Sequence, residues 1–76
     1  MATKAFILIE TVVGKNRDVV AKIHRIKGIK SAESVTGPYD VIAVIEAESI
    51  TEMGDEITSK LHTIDGIART VTCLVV

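Results

Sequence analysis

The chain has 76 residues, 47% of them hydrophobic and 25% charged, which is enough for one domain with one small core. Nine basic residues against ten acidic give a net charge of -1 and argue against the basic footprint of a nucleic-acid scaffold, and a single Phe and a single Tyr leave no set of stacking platforms for single strands. One Cys cannot form an internal disulfide, and no Cys/His cluster stands ready for a structural zinc, so oligomerisation is the staple that remains for so small a core.

Residues 4–12 are apolar and β-branched and predict a strand that stops at Val13-Gly14. Its apolar run Ala5 to Ile9 is far shorter than the roughly 20 residues a membrane span needs, and it has no small-residue cleavage signature of an export signal. With one unpaired Cys, this predicts a reducing, cytoplasmic setting. A helix opens at Asn16 or at the preceding Gly14-Lys15, with Asp18 in its first turn at the positive end of the dipole. Val19, Ile23 and Ile26 form its apolar face, and Gly28 stops it.

Residues 30–36 read as a weaker, polar strand, and Gly37-Pro38-Tyr39-Asp40 as a turn. Residues 41–48 form a second strongly apolar strand. Ser49 caps a second helix, with Glu52 completing a capping-box pattern. Ile50, Met53, Ile57, Leu61 and Ile64 make its apolar stripe, Gly54 is a weak point within it, and Gly66 ends it. Residues 67–76 give a final strand. The order is βαββαβ, and the chain repeats itself. His24, Gly28, Val19, Ile23 and Ile7 recur as His62, Gly66, Ile57, Leu61 and Ile45, each 38 residues later. Two matching βαβ halves predict an α+β, ferredoxin-like sandwich with the first and third strands at its centre.

Two helices cover only one face of such a sheet, yet the first and third strands are apolar on both. Ala5, Ile7 and Ile9 share one face, and Phe6 and Leu8 the other. Val41, Ala43 and Ile45 share one face, and Ile42 and Val44 the other. The last strand, ending Cys73-Leu74-Val75-Val76, is apolar on both sides, and Cys73 reads as an inert core thiol. Covering the second face with another copy of the chain would bury roughly 400 Å² of apolar area per subunit, on the order of 10 kcal/mol before association costs. The pattern therefore predicts a face-to-face homodimer.

The candidate site centres on the turn. Backbone amides at Gly37 with the Asp40 carboxylate, beside the only Tyr, Tyr39, suit a small zwitterion whose carboxylate meets the amides and whose ammonium meets Asp40. The same residues are also ordinary turn formers, and composition favours that reading. Thr70 and Thr72, two apart on the last strand, present two hydroxyls to one side, as do Ser34 and Thr36 on the second strand; in each case β-propensity is the plainer reason. His24 and His62 stand near helix C-termini with no second ligand at metal spacing, and Arg69 is either solvated or paired across an interface. No nucleophile–base arrangement or phosphate-binding Gly loop is visible, so no catalytic residues, no metal and no cofactor are expected.

The Ala-Phe-Ile-Leu-Ile opening strand, the Gly14-Lys15 doublet, residues 26–32 (Ile-Lys-Gly-Ile-Lys-Ser-Ala), Thr36-Gly37-Pro38-Tyr39-Asp40 and the ending Gly66-Ile67-Ala68-Arg69-Thr70-Val71-Thr72 together resemble the effector-binding (RAM) domain of the Lrp/AsnC feast/famine transcriptional regulators. The resemblance spans the whole chain. It implies a dimer closed into an α+β barrel, assembled into rings of eight or ten subunits. Effectors, usually amino acids, would be held between dimers. It carries Gly37, Tyr39 and Asp40 of the Gly-x-Tyr-Asp turn, and Thr70 and Thr72, to that site. Because the chain starts at Met1 directly before the first sheet strand, it resembles the stand-alone modules of the family, for which direct nucleic-acid binding is not expected. Such a module senses an amino acid by itself or co-assembles with a full-length regulator. A purely structural partner in a mixed assembly, a small enzyme of the dimeric α+β barrel type and an amino-acid domain of the ACT type share the βαββαβ order. The enzyme reading would need a cavity with His, Trp or Asn on the barrel face, and the chain has no Trp; the ACT reading would move the ligand to Val13-Gly14-Lys15-Asn16.

Overall fold

The computed structural model describes residues 2–76. Alternating apolar residues form β1 (Thr3–Thr11) and β3 (Val41–Ala47), which pair antiparallel at the centre of a four-stranded sheet ordered β2-β3-β1-β4. The edges are β2 (Ile29–Ser34) and β4 (Ile67–Leu74). α1 (Asn16–Ile23) links β1 to β2. A second helix links β3 to β4 and is built from α2 (Ile50–Glu52), a π-helical segment Met53–Thr58 and α3 (Ser59–Leu61). Both helices lie on one side of the sheet. They close over Ala5, Ile7, Ile9, Val41, Ala43 and Ile45, all of them solvent-free, with Val19, Ile23, Ile57 and Leu61 descending from the helices.

The βαββαβ order and the central position of β1 and β3 match the sequence reading. The barrel does not. The sheet is open, because β2 pairs only with β3 and β4 only with β1, and the two edges lie at opposite ends of the strand order. Closure would require those edges to pair with a common tilt and stagger. The chain is therefore an open ferredoxin-like α+β sandwich.

Local differences have local causes. α1 ends at Ile23 instead of running on to Gly28, because Arg25 N–H and Ile26 N–H turn back to the carbonyls of Lys22 and Ile23, three residues behind, and tighten the chain. The second helix is not a uniform α-helix. The hydroxyls of Thr58 and Ser59 donate to the carbonyls of Met53 and Gly54, five residues back, across the π-helical segment. Its start is capped as expected by Ser49, whose Oγ accepts from Glu52 N–H at 3.1 Å, while the Glu52 carboxylate accepts from Glu48 N–H. β2 begins and ends earlier than residues 30–36, and β4 stops at Leu74, after which Val75 N–H still bonds to the Lys4 carbonyl.

Cys73 is exposed and is not a core thiol. It pairs with Phe6, and Phe6 points away from the helices, 38% exposed. The uncovered face carries Phe6 and Leu8 from β1, Ile42 and Val44 from β3, and Val71 and Cys73 from β4. Lys4 stands over the Phe6 ring at its rim, and Arg69 pairs within the chain with Glu10 at 3.5 Å. That pair is largely exposed, so it adds little to stability.

The repeat is visible in the packing. Gly28 and Gly66 both have φ near +100°, at +100° and +101°, a conformation glycine adopts without penalty. Each lies against the opposite half. A Cβ on Gly28 would sit 2.5 Å from Ile57 Cδ1, and one on Gly66 would sit 3.1 Å from Val19 Cγ2. Substituting Gly28→Ala is expected to cost roughly 2–4 kcal/mol, combining left-handed strain with overpacking. Ile57→Val, which removes the clashing methyl, is expected to cost about 1 kcal/mol alone and clearly less in the Gly28→Ala background. Urea denaturation of the four proteins checks this; additive losses would show that the glycine and Ile57 are not in tight contact.

Candidate functional site

At the end of the sheet where β1 stops, three strands meet at Asp40. Its N–H donates to the Ile9 carbonyl at 2.9 Å, its carbonyl accepts from Val35 N–H at 2.9 Å, and its carboxylate Oδ2 accepts from Thr11 N–H at 2.8 Å. One residue thus ties β1, the chain leaving β2, and the entry to β3. Gly37 and Pro38 stand exposed in the turn just before it, with Tyr39 half-buried. Gly37, Tyr39 and Asp40 are near neighbours in this turn. The anchoring role of the Asp40 carboxylate is additional, because its donor is a backbone amide and leaves no mark in the residue pattern.

Of the hydroxyl residues, Ser34 flanks the turn on the edge strand β2, whereas Thr70 and Thr72 lie on the opposite edge strand β4. Ser34 pairs with Val41, Val41 with Ile9, and Ile9 with Thr70, so these four residues form one row across the sheet on its helix-covered side. Neighbouring strands are about 4.8 Å apart, which puts Ser34 and Thr70 roughly 14 Å from each other at opposite edges. The two centre positions of the row, Val41 and Ile9, are solvent-free. Ser34 Oγ accepts from Asn16 Nδ2 at 3.0 Å and so holds the first turn of α1 to the edge strand. Asn16 was legible as a helix opener, but this bond was not. Thr70 Oγ1 lies 3.4 Å from His62 Nε2, and Thr72, beside Ile7, is exposed. His24 Nε2 makes the equivalent reach in the first half, 3.1 Å from the Ala32 carbonyl. Both histidines therefore tether a helix end to an edge strand. Within one chain the six candidate residues occupy one turn and two opposite edges.

A groove of about 530 Å³ opens at the other end of the sheet, between the second helix and β2, with Lys27, Lys30, Glu46 and Glu48 among its lining residues. It shares no residue with the turn or with the hydroxyl row. Among the described residues, no group of three His, Cys, Asp or Glu side chains is placed to hold a metal ion, and no helix is long and apolar enough to cross a membrane.

A family model described as the Lrp/AsnC ligand binding domain matches residues 4–76. An uncharacterized HTH-type transcriptional regulator of Pyrococcus horikoshii is 33% identical over 75 residues, covering 95% of this chain and 50% of that protein. The chain thus spans about half the length of the curated relatives it matches. A hypothetical protein of Pyrococcus horikoshii superposes with a TM-score of 0.89 at 33% identity, over 100% of this chain and 90% of that one. AsnC of E. coli superposes with a TM-score of 0.89 at 25% identity, over 97% of this chain and 50% of that one.

Replacing Asp40 tests its structural share. Asp40→Ala leaves the Thr11 amide without its acceptor and is expected to cost about 1–3 kcal/mol, whereas Asp40→Asn, which keeps an oxygen there, is expected to cost less. Chemical denaturation gives the cost and amide exchange at Thr11 gives the location; wild-type stability and exchange in Asp40→Ala would remove the anchor.

Proposed function

The chain belongs to the Lrp/AsnC ligand-binding domain family, a family of small-molecule-binding regulatory modules and not of catalysts, and from that premise we propose that it senses a free amino acid or a similar zwitterion as an oligomer. The observation that supports this best is the Gly37–Asp40 turn. It sets exposed backbone beside a half-buried Tyr39 and a carboxylate at the mouth of a sheet strand. Backbone amides there suit a ligand carboxylate, and Asp40, which has a second oxygen besides the one bonded to Thr11, suits an ammonium. Ser34, Thr70 and Thr72 complete the reading as polar contacts. Ser34 flanks the turn in the same chain, and Thr70 and Thr72 lie on the opposite edge, so on this reading they enter the pocket from a neighbouring subunit.

The uncovered sheet face supports the assembly. Phe6, Leu8, Ile42, Val44, Val71 and Cys73 form a contiguous surface whose covering by a second copy removes apolar area from water. Pairs joined this way would then meet at their Gly37–Asp40 ends to form rings of eight or ten subunits. The curated relatives are HTH-type regulators about twice as long, which supports a second reading in which the chain acts on transcription indirectly, by joining a full-length regulator of its own family.

Leu8→Glu places a charge at the centre of the open face, where pairing would desolvate it. Sedimentation is expected to show oligomers for the wild type and folded monomers for this variant; a wild-type monomer at micromolar concentration would end the assembly reading. Calorimetric screening against the amino acids is expected to find one or more ligands, and Asp40→Asn is expected to weaken the tightest about tenfold or more. Unchanged affinity in that variant would take Asp40 out of the site.

A further inference from the structure

The two helices carry opposite charge, which the overall charge of -1 conceals. Residues 15–27, α1 and the turns at its ends, hold five basic residues, Lys15, Arg17, Lys22, Arg25 and Lys27, against the one acid Asp18, a net +4 with His24 neutral. Residues 48–65, the second helix and its turns, hold five acids, Glu48, Glu52, Asp55, Glu56 and Asp65, against the one base Lys60, a net -4 with His62 neutral. The 38-residue repeat sharpens the contrast. Arg17 and Asp55 stand at equivalent places, two residues before the buried Val19 and Ile57, and Lys27 and Asp65 stand just before Gly28 and Gly66. The fold makes these positions alike, and the charge at them is inverted.

All five basic residues are exposed, as are the acids except the half-buried Glu52. Among the described residues the helix layer holds one ion pair, Lys60 with Glu56 at 3.9 Å, and it is internal to the second helix. The basic residues of α1 therefore have no ionic partner within the chain. Ala21 and Ser59, equivalent and exposed four residues after Arg17 and Asp55, keep both helices low enough for another helix to approach closely. A layer that is basic on one helix and acidic on the other is complementary to itself. A second copy, turned over by a two-fold axis lying between the layers along the helices, sets its α1 over this chain's second helix and its second helix over this chain's α1. Both contacts then join opposite charges. A polyanion fits less well, because the carboxylates of the neighbouring helix repel it; Glu48, Glu52 and Glu56 line the groove that Lys27 borders. We propose that the helix layer docks a second copy of this chain, α1 of each on the second helix of the other. The contact lies on the side of the sheet opposite the open face and uses no residue of the Gly37–Asp40 turn, so it stands whether or not the turn holds a ligand.

Sedimentation of the Leu8→Glu chain, in which the open face is blocked, tests this. A contact between exposed charges is governed by screening, which reaches over roughly 3 Å at 1 M salt and 30 Å at 0.01 M. At several hundred micromolar the chain is expected to be monomeric in about 0.5 M NaCl and dimeric in about 0.02 M. Two triple variants in that background reverse one helix each: Arg17→Glu, Lys22→Glu and Arg25→Glu make α1 acidic, and Asp55→Lys, Glu56→Lys and Asp65→Lys make the second helix basic. Each alone is expected to be folded by circular dichroism and monomeric at both salts. Mixed in equal amounts they are expected to pair again at low salt, since each then meets its opposite on both helices. Should a triple variant fail to fold, Arg17→Glu and Asp55→Lys singly are expected to weaken pairing about tenfold. The proposal is overturned by a chain that stays monomeric at low salt, by pairing that ignores salt, by pairing unchanged in the variants that fold, or by folded triple variants that stay apart when mixed. Binding of a short DNA duplex by the unreversed chain and not by the variant with acidic α1, in place of self-pairing, would overturn it in favour of a polyanion surface.

Discussion

The central strand pair is apolar on both faces while the chain owns helices for only one, and most of the molecule's character follows from that imbalance. On the covered side, β1 and β3 present Ala5, Ile7, Ile9, Val41, Ala43 and Ile45 to Val19, Ile23, Ile57 and Leu61 and exclude water completely. On the other side, Phe6, Leu8, Ile42 and Val44 occupy the alternate positions of the same strands, and β4 extends the surface with Val71 and Cys73. A pleated strand cannot turn both sets inward, because successive side chains point to opposite faces. A contiguous apolar area of this kind on a small domain marks an interaction surface more than a solvated one.

The two halves of the chain are built alike, and the places where they differ are informative. Gly28 meets Ile57 as Gly66 meets Val19, and His24 and His62 both reach from a helix end to an edge strand. The repeat thus explains the packing of the helices on the sheet and the tethering of their ends. It does not explain the Gly37–Asp40 turn, which joins the halves and has no counterpart. Nor does it explain the π-helical segment, since α1 has none. Asp40 serves as both hydrogen-bonding backbone and side-chain acceptor for three stretches of chain, so the end of the turn is held to the sheet.

Element order, the central strands and the buried set were legible from alternation and from the 38-residue repeat, because both follow from which positions must leave water. Cys73 was not. An edge strand apolar on both sides gives no parity signal, and only the register opposite Phe6 places the thiol outward. The closed barrel came from resemblance, whereas the pairing of four strands in one chain leaves β2 and β4 as free edges. The turn was legible through its Gly, Pro and Asp, but the Thr11 amide that binds Asp40, and the Asn16–Ser34 bond, depend on chain approaches far apart in sequence. Residue type alone carries no record of such meetings.

The row Ser34, Val41, Ile9, Thr70 bears on how sensing and assembly are joined. Its middle lies under the helices, so a ligand cannot reach from one hydroxyl to the other within a chain. On the proposed reading, a ligand held in common by the turn and by Thr70 and Thr72 would bridge two chains. Binding free energy and association free energy are then linked: whatever stabilises the joined state raises affinity, and ligand raises the joined population by mass action. A ligand that bound joined and separate chains equally well would lack that leverage and shift nothing. On that reading, the separation of Thr70 and Thr72 from the turn would tie ligand binding to the state of assembly.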